Sequence, residues 1–350
     1  MKYFHSRHPF ALEGGQSLPE VTIAYHTYGK LNAKKSNVVW ICHALTANSD
    51  AADWWSGLVG AGKIFDPDLH FIVCANILGS CYGTTGPTSL HPETQAPYYT
   101  AFPQVTIRDM VRAHILLRQH LEIDTIQLLV GGSMGGYQAM EWCVLEPRAI
   151  EQLFLLATSS AESTWGIAVH TAQRLAIEAD ATWQDPSPTA GQKGLKAARA
   201  IGTLTYRNYH ILAQNQADPD PEKLDHYKVS SYINYQGDKL VNRFHAQSYW
   251  LLTKAMDSHH LGRSRGGQLE AVLQTIPQRT LVMGIHSDIL CPVQEQRFIA
   301  QHLPNATYVE IDSVYGHDGF IVEAAKITHH YREWLRQGIA TTLPLNQEAV

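Results

Sequence analysis

The sequence is poor in the features that would tie it to a disulfide framework, a membrane or a nucleic acid. It has 5 cysteines in 350 residues. They are odd in number and scattered (Cys42, Cys74, Cys81, Cys143, Cys291), with no C-x-x-C pair. That excludes a disulfide-stapled scaffold and suits reduced thiols in a cytoplasmic protein. No stretch approaches the roughly 20 consecutive apolar residues of a membrane span, and the opening MKYFHSRHPFALEGG carries no apolar signal core. Charge of one sign is missing too. The 27 Lys and Arg stand against 32 Asp and Glu, a net charge of -5 without a long like-charged run, which disfavours a nucleic-acid or anionic-membrane surface. The 19 histidines form no H-E-x-x-H or comparable set. The adjacent pairs His259-His260 and His329-His330 are expected to point in different directions, and no bound metal is expected.

What is present is core. Apolar residues make up 45% of the chain and charged residues 17%, enough for one large domain with an insertion or two modest ones. Apolar runs bounded by turn residues predict strands at Val21–Tyr28, Val38–Cys42, Phe71–Ala75, Ile126–Val130, Leu153–Ala157, Thr280–Ile285 and Tyr308–Ile311. Several are apolar on both faces, as buried parallel strands are. Helical periodicity lies between them, at Thr106–Leu121, Tyr137–Leu145 and Glu295–His302, so the expected class is α/β with a mostly parallel sheet flanked by helices. From about Trp165 to Ile276 the alternation stops. The pattern there is helical and polar-rich, punctuated by "DPSP" and "DPDPE". This predicts a core domain built from residues 1–164 and 277–350 with a helical lid inserted over 165–276.

Glycine is crowded at one place where it weakens both strand and helix. Gly131-Gly132-Ser133-Met134-Gly135 matches G-x-S-x-G between a predicted strand and a predicted helix, the context of a nucleophile elbow on an α/β-hydrolase fold. The serine there sits on a strained turn, and a Cβ two residues before or after it would strike neighbouring backbone. By contrast Gly57…Gly62-Lys63 fits G-x-x-x-x-G-K but is followed by Ile64, which has no hydroxyl for magnesium, so a P-loop is not expected.

A serine hydroxyl needs a base, and in this fold the chain order is Ser, then acid, then His. Asp288 in "GIHSDILCP" follows the strand Thr280–Ile285, and His317 in "YGHDGF" follows Tyr308–Ile311. Asp312 lies too near its own strand, and His286 precedes the acid and breaks the order. Ser133, Asp288 and His317 are therefore the expected catalytic set. The expected oxyanion donors are the backbone amides of Met134 and, in the loop after Val38–Cys42, Leu45.

Seven segments together carry a resemblance: "HALTANSDAADWW" (43–55), "GSCYGTTGPTS" (79–89), "GGSMGGYQAMEW" (131–142), "AIEADATW" (176–183), "ARAIGTLTY" (198–206), "SDILCP" (287–292) and "YGHDGF" (315–320). They resemble the homoserine O-acetyltransferases, acyltransferases of the α/β-hydrolase superfamily, from about residue 5 to 337. The resemblance implies acetyl transfer from acetyl-CoA to the γ-hydroxyl of L-homoserine by a ping-pong route in methionine biosynthesis. It also implies a homodimer and no permanently bound cofactor. It puts the nucleophile, acid and base on Ser133, Asp288 and His317, and the substrate-binding pair on Arg199 and Asp318. A zwitterionic amino acid suits such a pair, its carboxylate meeting a guanidinium and its ammonium a carboxylate. Arg207, in "TYRNY", competes with Arg199. Tyr137 and Cys291 stand where many members carry other residues. Succinyl-CoA as donor, L-serine as acceptor, plain ester hydrolysis, and a catalytically silent binding protein remain the alternatives.

Overall fold

Strand β5 (Val38–Cys42) is buried at all five positions, and its side chains part to opposite sides. Trp40 joins one apolar cluster and Val39 and Ile41 another. The same division runs through β7 (Ile126–Gly132), where Leu129 faces one cluster and Leu128 and Val130 the other. A sheet covered on both faces has no solvated side, which is why these segments read as continuous apolar runs rather than as alternation.

The computed structural model describes residues 1–342, so residues 343–350 of the expected core segment 277–350 lie outside the described residues. The remaining strands are β1 (Lys2–Ser6), β2 (Phe10–Ala11), β3 (Ser17–Leu18), β4 (Val21–Tyr28), β6 (Phe71–Ala75), β8 (Ile150–Leu156), β9 (Arg279–Ile285) and β10 (Ala306–Ile311). Among the described residues eight strands form one sheet in the order β1-β4-β6-β5-β7-β8-β9-β10. Pairing is parallel from β6 through β10, while β1 and β4 run antiparallel at one edge. The pair β2–β3 is a separate hairpin.

The predicted strands Val21–Tyr28, Val38–Cys42 and Phe71–Ala75 match in extent, and the other four shift by up to three residues. Three strands escaped prediction. β1 reads KYFHS, has no fully buried residue and sits at the sheet edge, so it carries no apolar signature. The hairpin strands have two residues each. The helix predicted over Thr106–Leu121 spans Ile107–His120. Thr106 caps it: its side chain accepts from the Asp109 amide while Asp109 accepts from the Thr106 amide.

Between β8 and β9 the chain leaves the sheet. It runs through helices Thr164–Glu178, Gln192–Tyr206, Tyr209–Gln216, Lys228–Val241, Ala246–Asp257 and Leu269–Leu273. No helix among the described residues is long and apolar enough to cross a membrane. The sheet's parallel strands all end on one side, so the loops after β5, β7, β9 and β10 converge there, the usual location of a site in such folds.

Candidate active site

Strand β7 ends at Gly132 and helix Met134–Leu145 begins two residues later, leaving Ser133 as the turn. Ser133 has φ 54° and ψ −129°, a conformation most side chains avoid. Three hydrogen bonds hold it: its amide donates to Leu156 O at 3.0 Å, and its carbonyl accepts from the Gly136 amide and the Thr158 hydroxyl, both at 2.8 Å. The crowding of glycine now has a geometric cause. A Cβ on Gly131 would lie 2.1 Å from the Gly135 carbonyl oxygen, and one on Gly135 2.1 Å from that of Cys42. The helix is pressed against both its own strand and the loop after β5. It starts three residues before the predicted Tyr137, because the apolar periodicity begins only after the glycines.

Ser133 Oγ lies 2.8 Å from His317 Nε2, and His317 Nδ1 lies 2.6 Å from Asp288 Oδ2. All three residues are buried. Asp288 Oδ1 is held by the amides of Leu290 and Cys291 at 2.8 and 2.9 Å. With both Asp288 oxygens accepting, Nδ1 of His317 carries a proton, and Nε2 accepts from the serine hydroxyl. Burial works against charging the imidazole, yet the Asp288 carboxylate, with Asp318 and Glu162 beyond it, offsets this and holds the His317 pKa above the ordinary 6.5. Cys291 places its thiol near this pair. Burial and the neighbouring Asp288 charge push its pKa well above 9.0, so it stays a neutral thiol rather than a rival nucleophile.

These groups open into a cavity of about 400 Å³. Leu45 lines it, and Met134 follows the serine in the chain as the first residue of the helix. Neither amide donates to another group among the described residues. Arg199, from helix Gln192–Tyr206, lines the cavity with its guanidinium 5.2 Å from the Tyr206 ring centroid. Asp318 lines it too. Burial raises the Asp318 pKa above 3.8, and Arg207 and Arg199 counter this in part. The structure separates the two competing arginines: Arg199 faces the cavity, whereas Arg207 Nε pairs with Asp318 Oδ2 at 3.1 Å.

Sequence reasoning missed other cavity residues, His170, Tyr206, Lys239 and Arg243. Nothing in their local pattern signals a site: His170, Tyr206 and Lys239 come from the helices between β8 and β9, and Arg243 from the turn between two of them. Tyr137 is buried, donates to Glu162 Oε2 at 3.1 Å and stacks on His259 with centroids 4.1 Å apart. On the surface, His329 and His330 do not diverge as expected. On helix Ala324–Thr342 both reach Glu333 Oε2 at 3.4 Å.

Residues 37–324 match the α/β-hydrolase fold family, and with a serine elbow feeding a histidine and a buried carboxylate the chain is an α/β-hydrolase-fold protein. A homoserine O-acetyltransferase of Cyclobacterium marinum is 47% identical over 93% of this chain and 92% of its own length. The crystal structure of a homoserine O-acetyltransferase from Bacillus anthracis is 25% identical and superimposes with a TM-score of 0.88 over 95% of this chain and 96% of that one. An esterase variant superimposes nearly as well, with 25% identity and a TM-score of 0.87 over 95% of this chain and 98% of that one. The chain belongs to the homoserine O-acetyltransferase family, within the acyltransferases of this fold.

Proposed function

We propose that this chain transfers an acetyl group from acetyl-CoA to the γ-hydroxyl of L-homoserine through an acetyl-Ser133 intermediate. The observation that carries the chemistry is the unbroken hydrogen-bonded line Ser133–His317–Asp288, at 2.8 and 2.6 Å, with Ser133 and His317 at the wall of one cavity.

In the first half-reaction His317 Nε2 takes the proton of Ser133 Oγ as the oxygen attacks the thioester carbonyl. The tetrahedral oxyanion accepts from the Leu45 and Met134 amides. It collapses with loss of CoA thiol, which leaves with the proton from His317. In the second half His317 removes the proton of the homoserine hydroxyl, the alkoxide oxygen attacks acetyl-Ser133, and the serine is released with that proton. Asp288 keeps the imidazole in the required tautomer and stabilises its charged form.

Arg199 offers the cavity a cation for the substrate carboxylate, and Asp318 an anion for its ammonium. Because Arg207 already pairs with Asp318, the ammonium shares that carboxylate rather than finding it bare. Water competes with homoserine for the acetyl-serine. The helices over 165–276 act as a lid that excludes water and orients the alcohol. The family resemblance further supports a place in methionine biosynthesis, in the cytoplasm, as a homodimer with no permanently bound cofactor.

The test is thiol release with acetyl-CoA or succinyl-CoA, each paired with homoserine or serine. Only acetyl-CoA with homoserine should turn over rapidly, and mass spectrometry should find acetyl on Ser133 when homoserine is withheld. The structural likeness to an esterase favours one second reading, plain hydrolysis. That reading requires fast p-nitrophenyl acetate turnover with no acceleration by homoserine.

A further inference from the structure

Two buried polar side chains that none of these steps uses meet behind the oxyanion loop. His43 is fully buried, and its Nδ1 lies 2.9 Å from the Ala44 carbonyl oxygen. A carbonyl only accepts, so Nδ1 carries the proton. Burial drags the ring's pKa down to about 4, so it is neutral at ordinary pH. The Ala44 carbonyl and the Leu45 amide are the two ends of one peptide unit. In a trans peptide they point in opposite directions. The imidazole therefore grips this plane from the back, while the Leu45 N–H faces away from it and has no acceptor among the described residues.

The second side chain ties this loop to the elbow. Gln138 is fully buried one turn into helix Met134–Leu145. Its Nε2 donates to the His43 carbonyl at 3.1 Å and to the Met134 carbonyl at 3.3 Å. Each of these carbonyls lies one peptide unit from an amide assigned to the oxyanion. Together with the close approach at Gly135, the amide group sets the spacing between the two donors.

We propose that His43 is the positioning residue of the oxyanion hole, its Nδ1–H fixing the tilt of the Ala44–Leu45 peptide, with Gln138 holding that loop in register with Met134; the role rests on the acyl-serine chemistry proposed above. An oxyanion donor works only when its N–H meets the developing charge at about 2.7–3.1 Å. A hydrogen bond to the carbonyl end of a peptide also polarises its N–H end. His43 thus acts on the transition state through a backbone group and touches no substrate itself.

Two polar replacements separate this from a packing role. In His43→Asn the side-chain N–H falls near the place of imidazole Nδ1, whereas in His43→Gln it falls near that of Nε2. Pre-steady-state release of p-nitrophenol from p-nitrophenyl acetate reads Ser133 acylation. Thiol release from acetyl-CoA gives KM and kcat, and thermal melting reports folding. His43→Gln should acylate about tenfold to a hundredfold more slowly at unchanged KM, and His43→Asn should recover most of that loss at a similar melting temperature. Gln138→Met should slow acylation in the same direction with the same KM. The proposal is overturned if His43→Gln acylates at the wild-type rate or if His43→Asn is as slow as His43→Gln. Should His43→Gln fail to fold, Gln138→Met acylating at the wild-type rate overturns it. A wild-type burst without acetylation of homoserine would sink the proposed acceptor and leave the His43 comparison readable.

Discussion

At the scale of the residue, the site is governed by where protons sit. In the proposed mechanism His317 must be neutral to accept the serine proton, and its pKa lies above the ordinary 6.5 because the neighbouring carboxylates, Asp288 foremost and then Asp318 and Glu162, together outweigh burial. The kcat/KM profile for acetyl-CoA should therefore rise with pH through an acid limb centred above 6.5. The same shift stabilises the fold below pH 6.5, and that contribution is lost as pH rises through the higher folded-state value. Asp288→Asn should move the acid limb to lower pH and reduce kcat by about 10⁴-fold, because the imidazole loses both its charge partner and its tautomer. Arg199→Gln should raise the KM for homoserine by about tenfold to a hundredfold, the loss of one charged hydrogen-bonding partner. The burst with p-nitrophenyl acetate should stay intact. That Ser133, Asp288 and His317 come together was legible in the sequence because chain order and strand ends restrict the choice. The choice between Arg199 and Arg207 was not, since both lie in one short segment and only the packing decides which meets Asp318.

At the scale of the element, the elbow works because two backbones approach within van der Waals contact. A Cβ on Gly135 would sit 2.1 Å from Cys42 O, backbone that cannot rotate away. Gly135→Ala should thus push the helix off the loop after β5, lowering the melting temperature and acylation together, at a stability loss of about 3 kcal/mol or more. Gly14→Ala is the control: nothing lies within 4 Å of the added carbon, and stability should change by less than about 0.5 kcal/mol. The motif's spacing announced this turn. The same spacing could not announce that Gln138, one helical turn on, reaches the His43 carbonyl 95 positions away in the chain. A glutamine on a helix face reads as ordinary until its neighbour is known.

At the scale of the whole molecule, distant segments are joined by charge as well as by the sheet. Glu13, between the hairpin strands, meets Arg108 at 2.6 Å and Arg263 at 2.7 Å. Arg108 also meets Glu141 of the elbow helix at 2.6 Å, and Glu141 meets Arg265 at 2.5 Å. Burial opposes ionisation of Glu13, but hydrogen bonds from Arg263 and Thr106 and the fields of both arginines outweigh it and lower its pKa below 4.5. The stabilisation is then present above pH 4.5 and lost as pH falls through the depressed folded-state value. Glu13→Gln should destabilise the protein by about 2 kcal/mol at neutral pH. Melting curves between pH 3 and 7, taken as an order-of-magnitude window about that carboxyl, should show a smaller acid-dependent loss in the variant. By itself the sequence determined the doubly covered parallel sheet, the elbow and the order of the three catalytic candidates. Each is written in local periodicity, in a short motif or in position along the chain. Only the tertiary structure decided which cations face the cavity, which carboxylate is already paired and which buried side chains hydrogen-bond the loop after β5. Those are relations between residues far apart in sequence, set by packing that no local pattern encodes.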